Sequence, residues 1–125
     1  MTEQPTVLVV DDDEAVTKTF ERALIVGGYH VLTALSAADA LHQLDTCRPD
    51  AVILDVFMPL VNGLGLLYRI RSLDTHQHLP VLIVTGGSLN QETLAELEAL
   101  GATVRQKPIP ASELLAVTRR LLNAR

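Results

Sequence analysis

The sequence predicts an α/β protein built on a parallel sheet, and three observations support this fold class. Short apolar runs, typical of strands buried on both faces, recur along the chain. Segments with apolar residues at three- and four-residue spacing lie between them, which is typical of helices that bury one face. Because strands and helices alternate throughout, parallel strands joined by right-handed crossovers are favoured.

Five stretches are predicted strands, because they are short, rich in apolar or β-branched residues and bounded by turn-forming residues. They comprise residues 7–10, 29–35, 52–54, 81–84 and 103–106.

Each strand is followed by a predicted amphipathic helix. The positions expected to face the core are Val16, Phe20, Ala23, Leu24, Gly27, Ala37, Ala40, Leu41, Leu44, Leu64, Leu67, Ile70, Leu73, Leu94, Leu97, Leu100, Leu114, Val117, Leu121 and Leu122. The expected helix caps are Ser36 for the second helix and Ser88 or Asn90 for the fourth. The expected stop signals are Gly27-Gly28, Pro49 and Gly101.

The connection from Asp74 to Leu79 is polar and contains His76 and His78 at alternate positions. Two histidines could begin a metal site, but no third ligand lies nearby in the sequence. We therefore predict that both are solvated loop residues.

Length and composition restrict the class of protein. A chain of 125 residues, 48% of them hydrophobic, fits a single domain covering residues 1–125. The net charge of −5 argues against a nucleic-acid surface. No run approaches the roughly 18 apolar residues of a membrane span, and the first five residues are too short and polar for a signal peptide. The lone Cys47 fits a reducing compartment, so a cytoplasmic protein without membrane contact is expected.

Polar residues follow four of the predicted strands: Asp11-Asp12-Asp13, Asp55, Thr85-Gly86 and Lys107. In a parallel sheet these groups meet at the carboxyl edge, where ligands bind. The acids must be close together to act jointly, which favours neighbouring first and third strands. That is the flavodoxin-like order 2-1-3-4-5, in a three-layer sandwich with helices on both faces.

A cluster of Asp11, Asp12 and Asp55 would repel itself at neutral pH, and Mg²⁺ or Mn²⁺ would offset that repulsion. Either all three carboxylates only hold metal, or one is a nucleophile that becomes an aspartyl phosphate. Lys107 and Thr85 suit phosphoryl transfer, which depends on positioning and charge neutralisation, and Gly86 leaves space beside Asp55. The acids at 11–13 could instead cap the first helix.

The chain resembles a receiver domain of two-component response regulators, related to the chemotaxis receiver, over essentially its whole length. The matching motifs are Val9-Val10-Asp11-Asp12, Leu54-Asp55, Met58-Pro59, Asn62-Gly63, Val84-Thr85-Gly86 and Lys107-Pro108. The resemblance implies a phosphorylation-dependent signalling switch that is not an enzyme, beyond self-catalysed phosphoryl acceptance and slow autodephosphorylation.

The resemblance also implies roles for individual residues. Asp55 would accept the phosphoryl group from a phosphohistidine, and Thr85 and Lys107 would contact its oxygens. Mg²⁺ would be held by Asp12, Asp55 and the backbone carbonyl of Phe57, and by Asp11 mainly through water. The Lys107-Pro108 peptide bond would be cis.

Three residues depart from the family pattern. Val104 stands where the family usually has Tyr or Phe, so we expect the switch to run through the Thr85 loop and the fourth helix. Phe57 lies two residues after the phosphoacceptor, and we hypothesise that its ring slows dephosphorylation; a half-life no longer than that of Phe57→Asn would refute this. Gly65 replaces a frequent acid, with no consequence that we can derive.

Two other functions share these features. A metal-dependent aspartyl-nucleophile phosphatase would normally carry a second Asp where this chain has Phe57. A pseudo-receiver that only binds partners would not need the five site residues. The expected partners are a sensor histidine kinase or phosphotransfer protein and an output domain or protein. The sequence names neither, nor does it say whether the receiver is part of a longer regulator or dimerises on phosphorylation.

Overall fold

A computed structural model describes residues 4–58, 61–73 and 76–123, and the side chains of residues 57, 58, 61 and 62 are outside that description. Predictions that concern Pro59, Asp74 or residues 1–3 therefore lie outside the described residues. The elements are β1 (Thr6–Val10), α1 (Glu14–Val26), β2 (His30–Ala34), α2 (Ala37–Cys47), β3 (Ala51–Leu54), β4 (Phe57–Met58), β5 (Val61–Asn62), α3 (Gly63–Ser72), β6 (Val81–Thr85), α4 (Gln91–Ala99), β7 (Ala102–Gln106) and α5 (Ala111–Asn123).

Five of the described strands form one parallel sheet in the order β2-β1-β3-β6-β7. When only the strands of this sheet are counted, that is the predicted flavodoxin-like order 2-1-3-4-5. The short antiparallel pair β4–β5 is additional, since the sequence predicted only a loop between Asp55 and Gly63.

Helices cover both faces of the sheet and give it two hydrophobic cores. Alternate strand residues such as Leu8, Val52 and Ile83 pack with α2, α3 and α4 on one face. The intervening residues, such as Val9 and Ile53, pack with α1 and α5 on the other face. The alternation follows from strand geometry, because successive side chains point to opposite faces. The predicted three-layer arrangement is confirmed.

The predicted caps identify the helix starts well. Ser36 accepts the amide of Asp39 at 3.1 Å, and Asn90, rather than Ser88, accepts the amide of Thr93 at 2.7 Å. Gly28 and Gly101 have positive φ angles of 96° and 77°, so both helix ends use a conformation that favours glycine.

Two expectations in the α3–β6 connection are wrong. Leu73 lies after the end of α3 and is 37% exposed, so it does not face the core. His76 is only 6% exposed and is not a solvated residue. The burial of His76 follows from Arg71, whose guanidinium donates to the carbonyl oxygens of His76 at 3.1 Å and Leu79 at 2.7 Å and holds residues 76–79 against the protein.

Candidate functional site

The predicted meeting of Asp11 and Asp55 is a consequence of strand register. Strand β1 pairs with β3 so that Val10 lies opposite Leu54, and the two aspartates are the next residues. The amide of Asp55 also donates to the carbonyl of Val10 at 3.3 Å. Both carboxylates are therefore fixed at the carboxyl edge of the sheet, at 3% and 7% exposure.

Lys107 joins these two carboxylates. Its Nζ lies 2.9 Å from Asp11 Oδ2 and 2.8 Å from Asp55 Oδ2. Partial burial lowers the pKa of Lys107, but its hydrogen bonds and charge interactions with Asp55 and Asp11 outweigh that effect and raise the pKa above its ordinary value. Lys107 therefore carries a full positive charge at neutral pH, and it offsets the repulsion between the two acids.

The backbone around Lys107 places its side chain at this edge. Its amide donates to the carbonyl of Thr85 at 2.8 Å, which extends the β6–β7 pairing by one residue. The following Lys107-Pro108 peptide bond is cis, as predicted from the family resemblance.

Thr85 ends β6 and is fully buried. Its hydroxyl oxygen accepts the amide of Gly87 at 3.4 Å, so the turn after β6 folds back over the strand end. A Cβ added at Gly86 would meet nothing nearer than Lys107 Cδ, at 3.9 Å. A side chain at this position would therefore be in van der Waals contact with Lys107, and glycine leaves that space free.

The three consecutive aspartates have different roles. Asp13 caps α1, since its Oδ1 accepts the amides of Ala15 at 2.9 Å and Val16 at 3.3 Å. Asp11 instead faces Lys107 and also accepts the amide of Asp13 through Oδ1 at 3.0 Å. Asp12 lies between them and is half-buried. The capping interpretation is therefore right for Asp13 alone.

The donor set fits a hard divalent cation. Two buried carboxylates contact one Lys107 nitrogen, and Mg²⁺ binds through one or two carboxylates with waters in its other positions. Among the residues that the structure describes, no three His, Cys, Asp or Glu side chains converge as a preformed cage. Asp12 and the backbone carbonyl of Phe57 remain expected ligands. Asp12 directly follows Asp11, and Phe57 is the first residue of β4, two positions after Asp55.

Gly63 is a site residue whose structural role the sequence reasoning missed. A Cβ at this position would lie 2.6 Å from Val56 Cα and collide with the carbonyl oxygen of Asp55. Only glycine lets the start of α3 lie against the backbone of Asp55. The available signal was the position of Gly63 at the junction of a strand-end loop and a helix.

This geometry agrees with a comparison of the sequence with known families, in which the response regulator receiver domain matches residues 7–119. The chain belongs to the response regulator receiver domain family. Such receiver domains are generally switches without enzymatic turnover, they generally use Mg²⁺ for phosphorylation, and they imply a histidine kinase partner and an output domain.

The receiver domain is similar to regulators from mycobacteria. It is 37% identical over 121 residues to the transcriptional regulatory protein PrrA of Mycobacterium leprae, covering 97% of this chain and 51% of that protein. It is 41% identical over 116 residues to the response regulator MprA of Mycobacterium sp. strain KMS, covering 93% of this chain and 50% of that protein. The chain thus spans about half the length of the curated relatives that it matches.

Solved structures of receiver domains share the fold. Chemotaxis protein CheY4 of Vibrio cholerae superposes with a TM-score of 0.88 at 30% identity, covering 95% of this chain and 99% of that chain. The receiver domain of NtrX from Brucella abortus gives a TM-score of 0.86 at 31% identity, with the same two coverages of 95% and 99%. No helix within the described residues of this receiver is long and apolar enough to cross a membrane.

Proposed function

We propose that Asp55 is the phosphoacceptor of a phosphorylation-dependent signalling switch. The observation that supports this most directly is the buried carboxylate of Asp55 beside a charged ammonium, with Lys107 Nζ at 2.8 Å. Phosphoryl transfer requires a positioned nucleophile and charge neutralisation, and this arrangement supplies both.

The transfer follows from the groups at the sheet edge. One oxygen of Asp55 forms a bond to phosphorus while the phosphorus–nitrogen bond of a phosphohistidine breaks, and the imidazole leaves and takes up a proton. Lys107 holds its positive charge where the phosphoryl oxygens arrive, and Thr85 offers a hydroxyl from the adjoining strand. Mg²⁺ would be held by Asp11, Asp12, Asp55 and the Phe57 carbonyl, and when bound it supplies further positive charge beside those oxygens.

The surface beside Lys107 supports a protein as the phosphoryl donor. An apolar groove of about 490 Å³ runs from Lys107 along α1. Its lining residues are Ala15, Val16, Thr19, Phe20, Lys107, Pro108 and Ile109. We propose that a sensor histidine kinase or phosphotransfer protein docks here. Ala15→Arg should then slow transfer from a kinase and leave labelling by a small acyl phosphate unchanged.

Phosphorylation would shift the conformation because it adds about −1.5 to −2 charge where Lys107 now neutralises two carboxylates. Val104 is half-buried and lines a groove of about 500 Å³ between α4 and β7. With no aromatic ring at that position, we propose that the change passes through the Thr85 loop to α4. The output partner and a phosphorylation-dependent dimer would use this face.

We also propose that residues 1–125 act as one receiver unit in the cytoplasm, with no direct contact to nucleic acid. The exposed Cys47 fits a reducing compartment, and the net charge of −5 disfavours phosphate backbones.

Intact-mass measurement after incubation with Mg²⁺ and an acyl phosphate tests the proposal. We expect one phosphoryl mass on the wild type and none on Asp55→Asn or in the presence of EDTA. Equal labelling of Asp55→Asn would refute it. Rapid turnover of a phosphomonoester would instead favour the phosphatase function.

A further inference from the structure

Thr17 lies on α1 beneath the loop that carries the aspartates, and it is only 3% exposed. Its hydroxyl oxygen is 3.2 Å from the carbonyl oxygen of Asp11 and 2.9 Å from that of Asp13. No family motif identified in the sequence includes this residue. Because Thr17 is buried beside these two carbonyls, its hydroxyl makes its hydrogen bonds to the loop and not to solvent.

The two carbonyls do not need the hydroxyl equally. The carbonyl of Asp13 already accepts the backbone amide of Thr17 at 3.0 Å, as the first bond of the helix. Asp11 is buried, and a buried carbonyl without a donor costs about 1–3 kcal/mol. Because one hydroxyl has one proton, donation to Asp11 satisfies the group with the greater need.

We infer that Thr17 is a positioning residue for the divalent-cation site, an inference that rests on the proposed function of Asp55. Its hydroxyl fixes the Asp11 carbonyl, and Asp11 Oδ1 in turn accepts the Asp13 amide at 3.0 Å. The loop is therefore held on both sides of Asp12. This bracing fixes the backbone that carries the carboxylates of Asp11 and Asp12 before the cation binds, so less ordering is required on binding.

Calorimetric titration with Mg²⁺ tests the inference without any turnover. Thr17→Val keeps the shape of the side chain and removes the hydroxyl, and we expect its Kd for Mg²⁺ to rise about 3- to 10-fold. Thr46→Val is the matched control, because the Thr46 hydroxyl donates to the helix carbonyl of His42 at 2.9 Å, near the end of α2. It should bind Mg²⁺ as the wild type does.

A second pair of variants separates positioning from loss of stability. Thr17→Ser and Thr17→Ala differ only in the hydroxyl, so Ser should keep wild-type Mg²⁺ affinity while Ala loses it, even if both unfold at lower urea concentration. When Asp55 labelling is measured against Mg²⁺ concentration, the half-saturating concentration should rise for Thr17→Val and Thr17→Ala. The labelling rate at saturating Mg²⁺ should stay near that of wild type.

The outcomes distinguish this inference from the proposed function. If wild type is labelled on Asp55 but Thr17→Val binds Mg²⁺ with an unchanged Kd, the positioning role is wrong. Equal affinities of Thr17→Ala and Thr17→Ser overturn it as well, whether or not Thr17→Val folds. Absence of any labelling of wild-type Asp55 would refute the proposed function instead.

Discussion

Replacing Lys107 by methionine tests the electrostatic centre of the site. The substitution keeps an unbranched side chain and removes the ammonium that contacts Asp11 at 2.9 Å and Asp55 at 2.8 Å. Two nearly buried carboxylates would then face each other without their cation. Their repulsion disfavours the folded state, in which they are held together.

The size of the effect follows from burial. Removing one partner of a buried ion pair costs about 3–5 kcal/mol. The Lys107 side chain is 21% exposed, so solvent screens part of this interaction. We expect Lys107→Met to lower the free energy of unfolding by about 2–3 kcal/mol at pH 7 without Mg²⁺. In a domain of this length, that loss lowers Tm by on the order of 10 °C.

The effect also has a defined pH dependence. Since the pKa of Lys107 is raised in the folded protein above its ordinary value of 10.5, the stabilisation is fully present below pH 10.5. It is lost as the pH rises through the folded-state pKa. The difference in unfolding free energy between wild type and Lys107→Met should therefore be constant near neutrality and shrink above pH 10.5.

Urea unfolding in EDTA and in Mg²⁺, together with calorimetry, checks this reasoning. Because the ammonium no longer competes for the same oxygens, Lys107→Met should bind Mg²⁺ more tightly than wild type, and Mg²⁺ should restore much of its lost stability. Labelling of Asp55 should nevertheless fall. The other lysine of the chain, the exposed Lys18, supplies the control Lys18→Met. Wild-type stability of Lys107→Met in EDTA, or weaker Mg²⁺ binding, would refute the argument.

Three other substitutions, one of them with a matched control, test separate features by urea unfolding and Asp55 labelling. Arg71→Met removes donors to three carbonyls, including that of Leu100 at 2.6 Å, and should cost about 2–4 kcal/mol; a loss below 1 kcal/mol would contradict the bracing role of Arg71. Thr118→Val removes a buried hydroxyl that has no hydrogen-bond partner among the described residues, and it should stabilise the protein by about 1 kcal/mol, so destabilisation would show that the hydroxyl is satisfied. Gly63→Ala pushes a methyl group into the backbone at Asp55 and should lower both stability and labelling, whereas Gly86→Ala should fold normally; similar behaviour of the two would contradict the packing argument.

The sequence predicted the sheet order and the central contact because both follow from patterns that local chemistry enforces. Short apolar runs bounded by turn-forming residues are typical of buried strands, and polar residues at their ends meet once those strands are parallel. Asp55 and Lys107 are separated by 52 positions, yet each directly follows a strand of the same sheet. Their contact could therefore be predicted without knowledge of side-chain packing.

Residue chemistry and spacing alone could not predict which of three identical neighbours does what. Asp11, Asp12 and Asp13 have the same chemistry, and the backbone turn between β1 and α1 decides that Asp13 caps the helix while Asp11 faces Lys107. The error at His76 has a similar origin. A polar segment between helix and strand is usually solvated, but Arg71, at the end of the preceding helix, donates to two of its carbonyls. Hydrogen bonds from a side chain to carbonyls five and eight residues further along an irregular segment leave no periodic signal.

Because Asp11 and Asp55 share the ammonium of Lys107, phosphorylation of Asp55 should affect how Asp11 binds Mg²⁺. If Lys107 turns toward a phosphoryl group on Asp55, its contact with Asp11 at 2.9 Å must weaken, and Asp11 is too buried to be left without a positive neighbour. A divalent cation at Asp11 and Asp12 removes that cost. Binding of Mg²⁺ and phosphorylation should therefore reinforce each other. The Asp11→Asn variant, whose side chain needs no counter-ion, should show a weaker mutual effect between Mg²⁺ and the phosphoryl group in calorimetric titrations, and an unchanged effect would show that Lys107 does not link them.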